Sequence, residues 1–288
     1  MRRLAWPIMI GHVATLDKLS GRKRKRLDVL LVERGLAETR ERAQSLILTG
    51  AVRVDGQPAT RPAQAVAPDA AVKLEATGPD YVSRGALKLE AALDRWRIDP
   101  ADRIALDIGA STGGFTDLLL RRGAQRVYAV DVGYGQLHYR LRGDPRVMVM
   151  ERTNVRSLEA LPEIPDLAVI DVSFISLRLA LPPVFRLVAP SAPVVALIKP
   201  QFEAGREQVG KGGVVRSAAV HRQVLIDLVD WSREQAWRIG DLVTSPIRGP
   251  AGNVEFLSLW RAAGEPADLD VIQRALSQAA IILSPPRS

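Results

Sequence analysis

One segment, residues 105–117, constrains the fold of this 288-residue chain more than any other. A short apolar run leads into a cluster of glycines, and an apolar helical periodicity then begins at Phe115. This order of patterns predicts a strand, a tight turn and a helix. Gly109, Ser111 and Gly114 imitate the glycine fingerprint of dinucleotide-binding βαβ units, with the middle glycine replaced. The segment therefore predicts an α/β fold whose first loop binds a ligand.

A second apolar run, 126–130, ends in Asp131, which lies far enough along the chain to bind two ribose hydroxyls. The loop and this acid together predict an adenosine cofactor. Asp107, at the strand end of the turn, would repel a pyrophosphate and attract a cation. S-adenosylmethionine (SAM), with its sulfonium and amino groups, therefore suits the loop better than NAD does. The loop alone is also compatible with NAD, or with an ordinary strand-to-helix turn.

The composition narrows the chemistry that this site can use. The chain has no cysteine, which excludes disulfides, thiolate metal sites and the covalent thioether route to cytosine C5 methylation. Its three histidines are far apart in the sequence, so we expect no catalytic metal. The formal net charge is +8 and the isoelectric point is about 10.2, which favours a polyanionic partner.

The chain contains no segment that we predict to enter a membrane. Residues 1–16 carry two arginines before a mostly apolar stretch, but Pro7 and the missing cleavage site argue against a signal peptide. The apolar stretch 179–198 is interrupted by Arg186 and several prolines. We therefore expect a cytoplasmic protein.

The segment behind a basic run at 22–26 combines two helical patterns with a hairpin. Leucines from Leu27 onwards predict a helix that ends near Gly35, and Thr39 is placed to cap a second helix. Gly50-Ala-Val-Arg-Val-Asp-Gly56 predicts the hairpin. The segment resembles the S-four-like RNA-binding domain, which is named after a ribosomal small-subunit protein. The arginines that we expect to contact RNA are Arg24, Arg26, Arg40, Arg42, Arg53 and Arg84.

Strands and helices alternate through the remaining sequence. Apolar runs at 167–170 and 194–198 end in Asp171 and Lys199, a long helix is predicted over 217–237, and strands are predicted at 239–243 and 255–260. The alternation predicts a doubly wound sheet with its site at the carboxyl ends of the strands. An acid and a lysine at neighbouring strand ends would form a convergent polar site, although a structural ion pair is the alternative.

Two further stretches bear on the acceptor and on access to the site. Asp171-Val-Ser-Phe174 lacks the Pro-Pro sequence of amino-methyltransferases, which favours an oxygen acceptor. Residues 205–212 nearly spell a phosphate-binding loop, but Gly212 stands where Ser or Thr should hold magnesium. We expect residues 203–214 to be a mobile loop over the site.

Several motifs, in order, resemble one known family. They are Val82-Ser-Arg-Gly-Ala-Leu-Lys-Leu, Asp107-Ile-Gly-Ala-Ser-Thr-Gly-Gly-Phe-Thr, Asp171-Val-Ser-Phe-Ile-Ser-Leu, Lys199-Pro-Gln-Phe-Glu and Val209-Gly-Lys-Gly-Gly-Val-Val. Lys88, Asp171, Lys199 and Glu255 look like the Lys-Asp-Lys-Glu tetrad of the FtsJ-like ribose 2'-O-methyltransferases. Together with the front module, the motifs resemble the TlyA family.

The resemblance implies a SAM-dependent enzyme that methylates cytidine 2'-hydroxyls in 16S or 23S ribosomal RNA, or in both. Some members of the family have been called haemolysins, so a membrane-active protein is one alternative. A non-catalytic RNA-binding or ribosome-assembly protein is another. The tetrad would be catalytic, with Lys199 stabilising the developing alkoxide, Lys88 holding the ribose or a phosphate, and the two acids orienting these lysines.

The residues of the loop and of the strand ends beside it give the expected contacts of the cofactor. The backbone of 109–114 would border the methionine part of SAM, Asp107 would attract its amino group, Asp131 would bind its ribose, and Asn154 would bound its adenine. The expected cofactor residues are Asp107, Gly109, Ser111, Thr112, Gly113, Gly114, Phe115, Asp131 and Asn154. Phe115 and Phe174 would line the pocket, but the core is the more ordinary place for a phenylalanine.

The expected domain organisation has five parts. They are a basic, disordered extension over 1–25, an RNA-binding domain over 26–76, a linker over 77–81, a methyltransferase domain over 82–262 and a tail over 263–288 with a helical pattern at 268–283.

Overall fold

The computed structural model describes residues 24–37, 39–48, 50–74 and 81–283. Residues 1–23 of the extension expected over 1–25, most of the expected linker and residues 284–288 lie outside the described residues, and Lys25 belongs to a strand. The chain divides into two compact units, one comprising Met1–Ile47 and Ala51–Glu75, the other Leu48–Gly50 and Ala76–Ser288.

The first unit is a small α+β module. Its elements are β1 (Lys25–Arg26), α1 (Leu27–Glu33), α2 (Arg40–Leu48), β2 (Val52–Val54), β3 (Gln57–Pro58), β4 (Ala65–Val66) and β5 (Val72–Leu74). Strand β2 pairs antiparallel with β3 and β5, and β1 pairs antiparallel with β4. Leu27, Leu31, Ile47 and Val52 are fully buried between helices and strands.

The local signals of this unit act as predicted. The Thr39 hydroxyl accepts a hydrogen bond from the Arg42 amide at 3.1 Å, which caps α2. The hairpin turns at Asp55 and Gly56, whose φ angles are 50° and 79°. Both signals are short-range, which is why the sequence alone located them.

The second unit is an α/β domain. Its elements are α3 (Gly85–Trp96), β6 (Ile104–Ile108), α4 (Gly114–Arg121), β7 (Arg126–Val130), α5 (Tyr139–Arg142), β8 (Val147–Met150), β9 (Leu167–Ile170), α6 (Leu177–Leu187), β10 (Val194–Ile198), α7 (Pro200–Glu203), α8 (Ala218–Arg233), β11 (Arg238–Thr244), β12 (Phe256–Arg261) and α9 (Leu269–Leu283). Within the described residues these strands form one seven-stranded sheet of order β11-β12-β10-β9-β6-β7-β8. Strand β12 runs antiparallel to both of its neighbours, and the other pairs are parallel. The predicted fold class is confirmed.

Every residue of β9 and β10 is buried, because helices cover both faces of the sheet. One face packs against α6, α8 and α9, with Phe256 and Trp260 at its centre, and the other packs against α3 and α4. Helix α9 buries Ile272, Ala275 and Ala279 in the first of these cores. The segment expected as a tail therefore includes a helix that packs into the core of the second unit.

The strand order reverses at β6, which has β7 on one side and β9 on the other. In an open α/β sheet such a reversal leaves a crevice at the carboxyl ends of the strands. The pairing of β10 with β12 brings two further segments to this edge of the sheet, since Ile198 of β10 lies opposite Phe256 of β12. The chain leaving β10 and the chain entering β12 therefore lie side by side at that same edge.

Candidate active site

A cleft of about 440 Å³ opens at the carboxyl ends of β6, β7 and β9. Four of the residues predicted to contact a cofactor line it: Gly109, Ser111, Asp131 and Asn154. Asp171 lines it as well, which places one member of the predicted tetrad in the wall of the cleft. The Asn154 side chain also accepts a hydrogen bond from the Arg156 amide at 3.0 Å, as an ordinary turn residue would.

Close backbone packing fixes the loop after β6. Gly109 has a φ of 84°, and a Cβ built on it would come within 2.5 Å of the Asp171 carbonyl oxygen. Only glycine fits this position without displacing backbone. Asp131 holds the loop from the other side, because its carboxylate accepts hydrogen bonds from the Ser111 amide at 2.8 Å and the Gly133 amide at 2.7 Å.

Asp107 lies beneath this loop, inside strand β6 and not in the turn where the sequence had suggested it. Its side chain is fully buried, and one carboxylate oxygen accepts a hydrogen bond from the Thr116 hydroxyl at 2.6 Å. The other oxygen has no protein partner among the described residues. Burial raises the pKa of Asp107 to about 7, and the neighbouring charge of Asp171 acts in the same direction.

The other predicted cofactor residues pack α4 and do not line the cleft. Gly113 directly precedes α4 with a φ of 97°, and a Cβ on Gly114 would lie 2.2 Å from the Ser83 hydroxyl oxygen and 3.1 Å from the Ala86 amide nitrogen. Phe115 is 3% exposed and belongs to the core between α3 and α4. Thr112, half-buried, accepts a hydrogen bond from the His138 amide at 3.2 Å through its carbonyl oxygen.

The expectation that Phe174 packs in the core is wrong. Its side chain is 90% exposed, its φ is 64°, and it lines the cleft. The ring contacts that of Phe202 at 5.0 Å between centroids. A positive φ is rare for a bulky residue, and nothing in the sequence around Phe174 signalled it.

The four tetrad residues form two ion pairs. The Lys88 ammonium lies 2.5 Å from a Glu255 carboxylate oxygen, and this pair is buried, with side-chain exposures of 8% and 1%. The Lys199 ammonium lies 2.6 Å from Asp171 and donates a hydrogen bond to the Ser173 hydroxyl at 2.7 Å. Because Lys199 follows β10 directly and Glu255 directly precedes β12, the register brings the two pairs to one edge of the sheet.

The segment 203–214, expected as a mobile loop, has its own hydrogen-bonded structure. A β-bridge joins Gly210 to Val214, and the buried Asn253 fastens this glycine hairpin. The Asn253 amide accepts from the Val215 backbone amide and donates to the Gly213 carbonyl, each at 2.9 Å. The role of Asn253 was not predicted, because its partners lie about forty residues away in the sequence.

The predicted RNA-binding arginines differ in their surroundings. Arg26 and Arg40 are paired with the buried Asp28. Arg53 donates to the Gly56 carbonyl at 3.2 Å, and Arg84, in the second unit, is half-buried at the start of α3. Arg24 and Arg42 are exposed in the first unit.

Among the residues that the structure describes, no helix has both the length and the apolar character needed to cross a membrane. Nor do His, Asp and Glu side chains there form a group of three that could hold a metal ion.

Comparison with known proteins matches two families in sequence order. Residues 81–261 match the FtsJ-like methyltransferase family, and residues 25–72 match the S4 domain. The first match contains all four tetrad residues and the whole cleft, and the second contains the buried Asp28 and its arginines.

Individual relatives resemble the chain over most of its length. "Putative rRNA methyltransferase YqxC" of Bacillus subtilis is 50% identical over 246 residues, which cover 84% of this chain and 88% of the relative. "16S/23S rRNA (cytidine-2'-O)-methyltransferase TlyA" of Mycobacterium tuberculosis is 46% identical over 265 residues, covering 89% and 98%. A solved structure, "Putative hemolysin from Streptococcus thermophilus", is 41% identical with a TM-score of 0.70, covering 91% of this chain and 99% of that one.

Proposed function

The chain belongs to the TlyA family of FtsJ-like methyltransferases, and on that basis we propose that it methylates the 2'-hydroxyl of a cytidine in ribosomal RNA, with SAM as methyl donor. The convergence of two lysine–carboxylate pairs beside the cleft is the observation that carries the proposal. The S4 domain in the first unit supports an RNA substrate.

The cleft fits SAM in its size and in its charges. The unpartnered oxygen of the buried Asp107 suits the cationic amino group, and Asp131 is placed for the two ribose hydroxyls. Asn154 would lie at the adenine, beyond Asp131. When bound, SAM supplies a methyl group made electrophilic by its sulfonium.

The chain's own residues prepare the acceptor. A ribose hydroxyl is a weak acid, so Lys199 is assigned to the reacting oxygen, where it stabilises the developing negative charge. Once its own proton has passed to solvent, the Lys199 amine accepts the hydroxyl proton. Asp171 and Ser173 hold Lys199 in place by contacts of 2.6 Å and 2.7 Å. Glu255 holds Lys88, which is assigned to the ribose or an adjacent phosphate.

Transfer of labelled methyl from SAM to purified small and large ribosomal subunits tests the proposal. We expect label at a cytidine ribose, with a blocked 2'-hydroxyl, and a loss of about a hundredfold or more for Lys199→Ala. Arg222→Ala, an exposed position on α8, is the matched control and should leave the rate unchanged. If SAM binds but neither subunit accepts label, the proposed reaction is wrong, and lysis of erythrocytes by the same sample would favour the membrane-active alternative.

A further inference from the structure

Asp28, in the first turn of α1, is a fully buried carboxylate within the RNA-binding module. Arg26 and Arg40 converge on it while their own side chains remain 47% and 50% exposed. A negative charge therefore lies directly beneath two arginines that the proposed function places on RNA. Charge counting alone would make such a residue unfavourable for binding a polyanion.

The contacts of Asp28 define the positions of both guanidinium groups. Arg26 binds in a bidentate manner, with its Nε 3.0 Å from one carboxylate oxygen and its Nη2 2.8 Å from the other. Arg40 donates its Nε to the second oxygen at 3.0 Å. Gln44 and the Val29 amide complete the set at 3.1 Å and 3.0 Å.

These contacts leave N–H groups of both arginines available. Arg26 keeps Nη1, Arg40 keeps Nη1 and Nη2, and none of these has another partner among the described residues. The hydrogen bonds from Arg26 hold the pKa of Asp28 far below its usual range, so the carboxylate stays charged at neutral pH. The guanidinium groups of Arg26 and Arg40 therefore bind the same carboxylate and still have N–H groups that can donate to another ligand.

We propose that Asp28 is a positioning residue that strengthens RNA binding by holding Arg26 and Arg40 as a pair for adjacent phosphates of the RNA backbone. This inference rests on the proposed function. A free arginine loses conformational entropy when it orders on a phosphate, whereas these two are already ordered by the protein. Guanidinium groups are suited to this because they bind a carboxylate and a phosphate with the same planar donors.

Asp28→Asn in the full-length protein tests whether Asp28 strengthens or weakens RNA binding. Filter binding to in vitro transcripts of bacterial 16S and 23S rRNA, over a range of salt concentrations, gives affinity and salt dependence. We expect about tenfold weaker binding and a shallower salt dependence, although the variant is more positive. Asp69→Asn, an exposed acid of the same module, is the charge-matched control and should not weaken binding.

A double-mutant cycle separates positioning from folding. In an Arg26→Gln/Arg40→Gln background the arginines are already lost, so Asp28→Asn should cause no further loss of affinity. An equal loss in both backgrounds would mean that Asp28 merely supports the fold, and tighter binding by Asp28→Asn alone would mean that simple charge dominates; either result overturns the inference. If the wild-type protein binds neither transcript, the proposed function fails first, whereas wild-type binding with an unchanged Asp28→Asn affinity removes only this inference.

Discussion

Lys88 and Lys199, both assigned to the proposed reaction, differ in how far their carboxylate partners are buried. The Lys88 and Glu255 side chains are 8% and 1% exposed, whereas those of Lys199 and Asp171 are 11% and 22% exposed, so the two pairs differ mainly in the burial of the acid. Removing one partner of a buried pair leaves an uncompensated charge, which costs about 3–5 kcal/mol. We therefore expect Lys88→Met to lower the free energy of unfolding by about that amount and Lys199→Met to lower it by less, because water reaches the Asp171 carboxylate that is left unpaired.

Urea denaturation of the two variants measures this difference. Lys88→Met/Glu255→Gln, which removes both charges, should recover part of the stability lost in Lys88→Met. Equal losses for Lys88→Met and Lys199→Met would contradict the assignment of Lys88 to a dry environment.

Because the proposed function assigns the amino group of SAM to Asp107, we expect cofactor affinity to depend on pH. Because burial raises its pKa to about 7, the free protein holds this carboxyl protonated below that pH, whereas a bound cationic amino group favours the carboxylate. We expect SAM affinity to rise by up to about tenfold per pH unit from about pH 5.5 to pH 7, and then to level off. Calorimetric titration across this range measures the slope, and Asp107→Asn should bind more weakly with a flatter pH profile.

The stability of the free protein should change in the opposite direction. The folded-state pKa of about 7 lies above the ordinary Asp value of 3.8, so the folded protein binds more protons between these values. Stability is therefore lost as the pH rises from about 4 to 7, and Asp107→Asn should remove that loss. A wild-type pH profile retained in the variant would exclude Asp107 as its source.

The sequence predicted the site residues that belong to a recognisable motif. It did not predict residues whose contacts arise only in the tertiary structure. Lys88, Asp171 and Lys199 each stand in a separate motif, Glu255 completes the tetrad that these residues resemble, and the structure joins the four in two ion pairs. Asp28 and Asn253 carry no comparable signal, because their contacts depend on tertiary structure: Asp28 binds Arg40 and Gln44 as well as Arg26, and the partners of Asn253 are about forty residues away. Phe174 was wrongly expected in the core. Its exposure depends on a positive φ angle, which no pattern in the neighbouring sequence indicates.

Among the secondary-structure elements, helix α9 lies in a segment that was expected from the sequence to be a tail. Substitutions in α9 measure how much this helix stabilises the second unit. Ile272 is 2% exposed in the core, and Leu269, at the start of the same helix, is 61% exposed. Ile272→Ala should cost about 2–4 kcal/mol of unfolding free energy, whereas Leu269→Ala should cost less than about 0.5 kcal/mol. Thermal denaturation of both variants is the measurement. A small loss at Ile272 would mean that α9 adds little to the stability of the sheet it covers.

Strand positions were easier to predict than strand directions. The runs at 126–130, 167–170 and 194–198 coincide with β7, β9 and β10, because buried parallel strands have nearly continuous apolar sequences. The run at 255–260 was located to within one residue as β12, but its antiparallel direction was not predicted. An apolar run has the same pattern in either direction, so the direction of β12 depends on its pairing.

At the scale of the whole molecule, the two proposed ligands should respond differently to salt. The chain has a formal net charge of +8, and RNA binding releases counterions. We expect RNA affinity to fall by about a hundredfold or more between about 50 and 200 mM salt, while SAM affinity changes by less than about twofold. Filter binding and calorimetry, each repeated across that range, compare the two. Similar salt dependence for both ligands would argue against an RNA surface built on phosphate contacts.

The antiparallel β12 also affects when the enzyme first becomes active during its own synthesis. Glu255 enters the site at the start of the strand that pairs with β10, about 55 residues after Lys199 in the chain. A nascent polypeptide that has emerged as far as Lys199, directly after β10, would already contain the S4 domain, the cleft and three of the four tetrad residues. Lys88 would still lack its counter-charge, and β10 would have an unpaired edge. We expect such a translation intermediate to be inert, so that methylation begins only after the last strand has been translated and inserted.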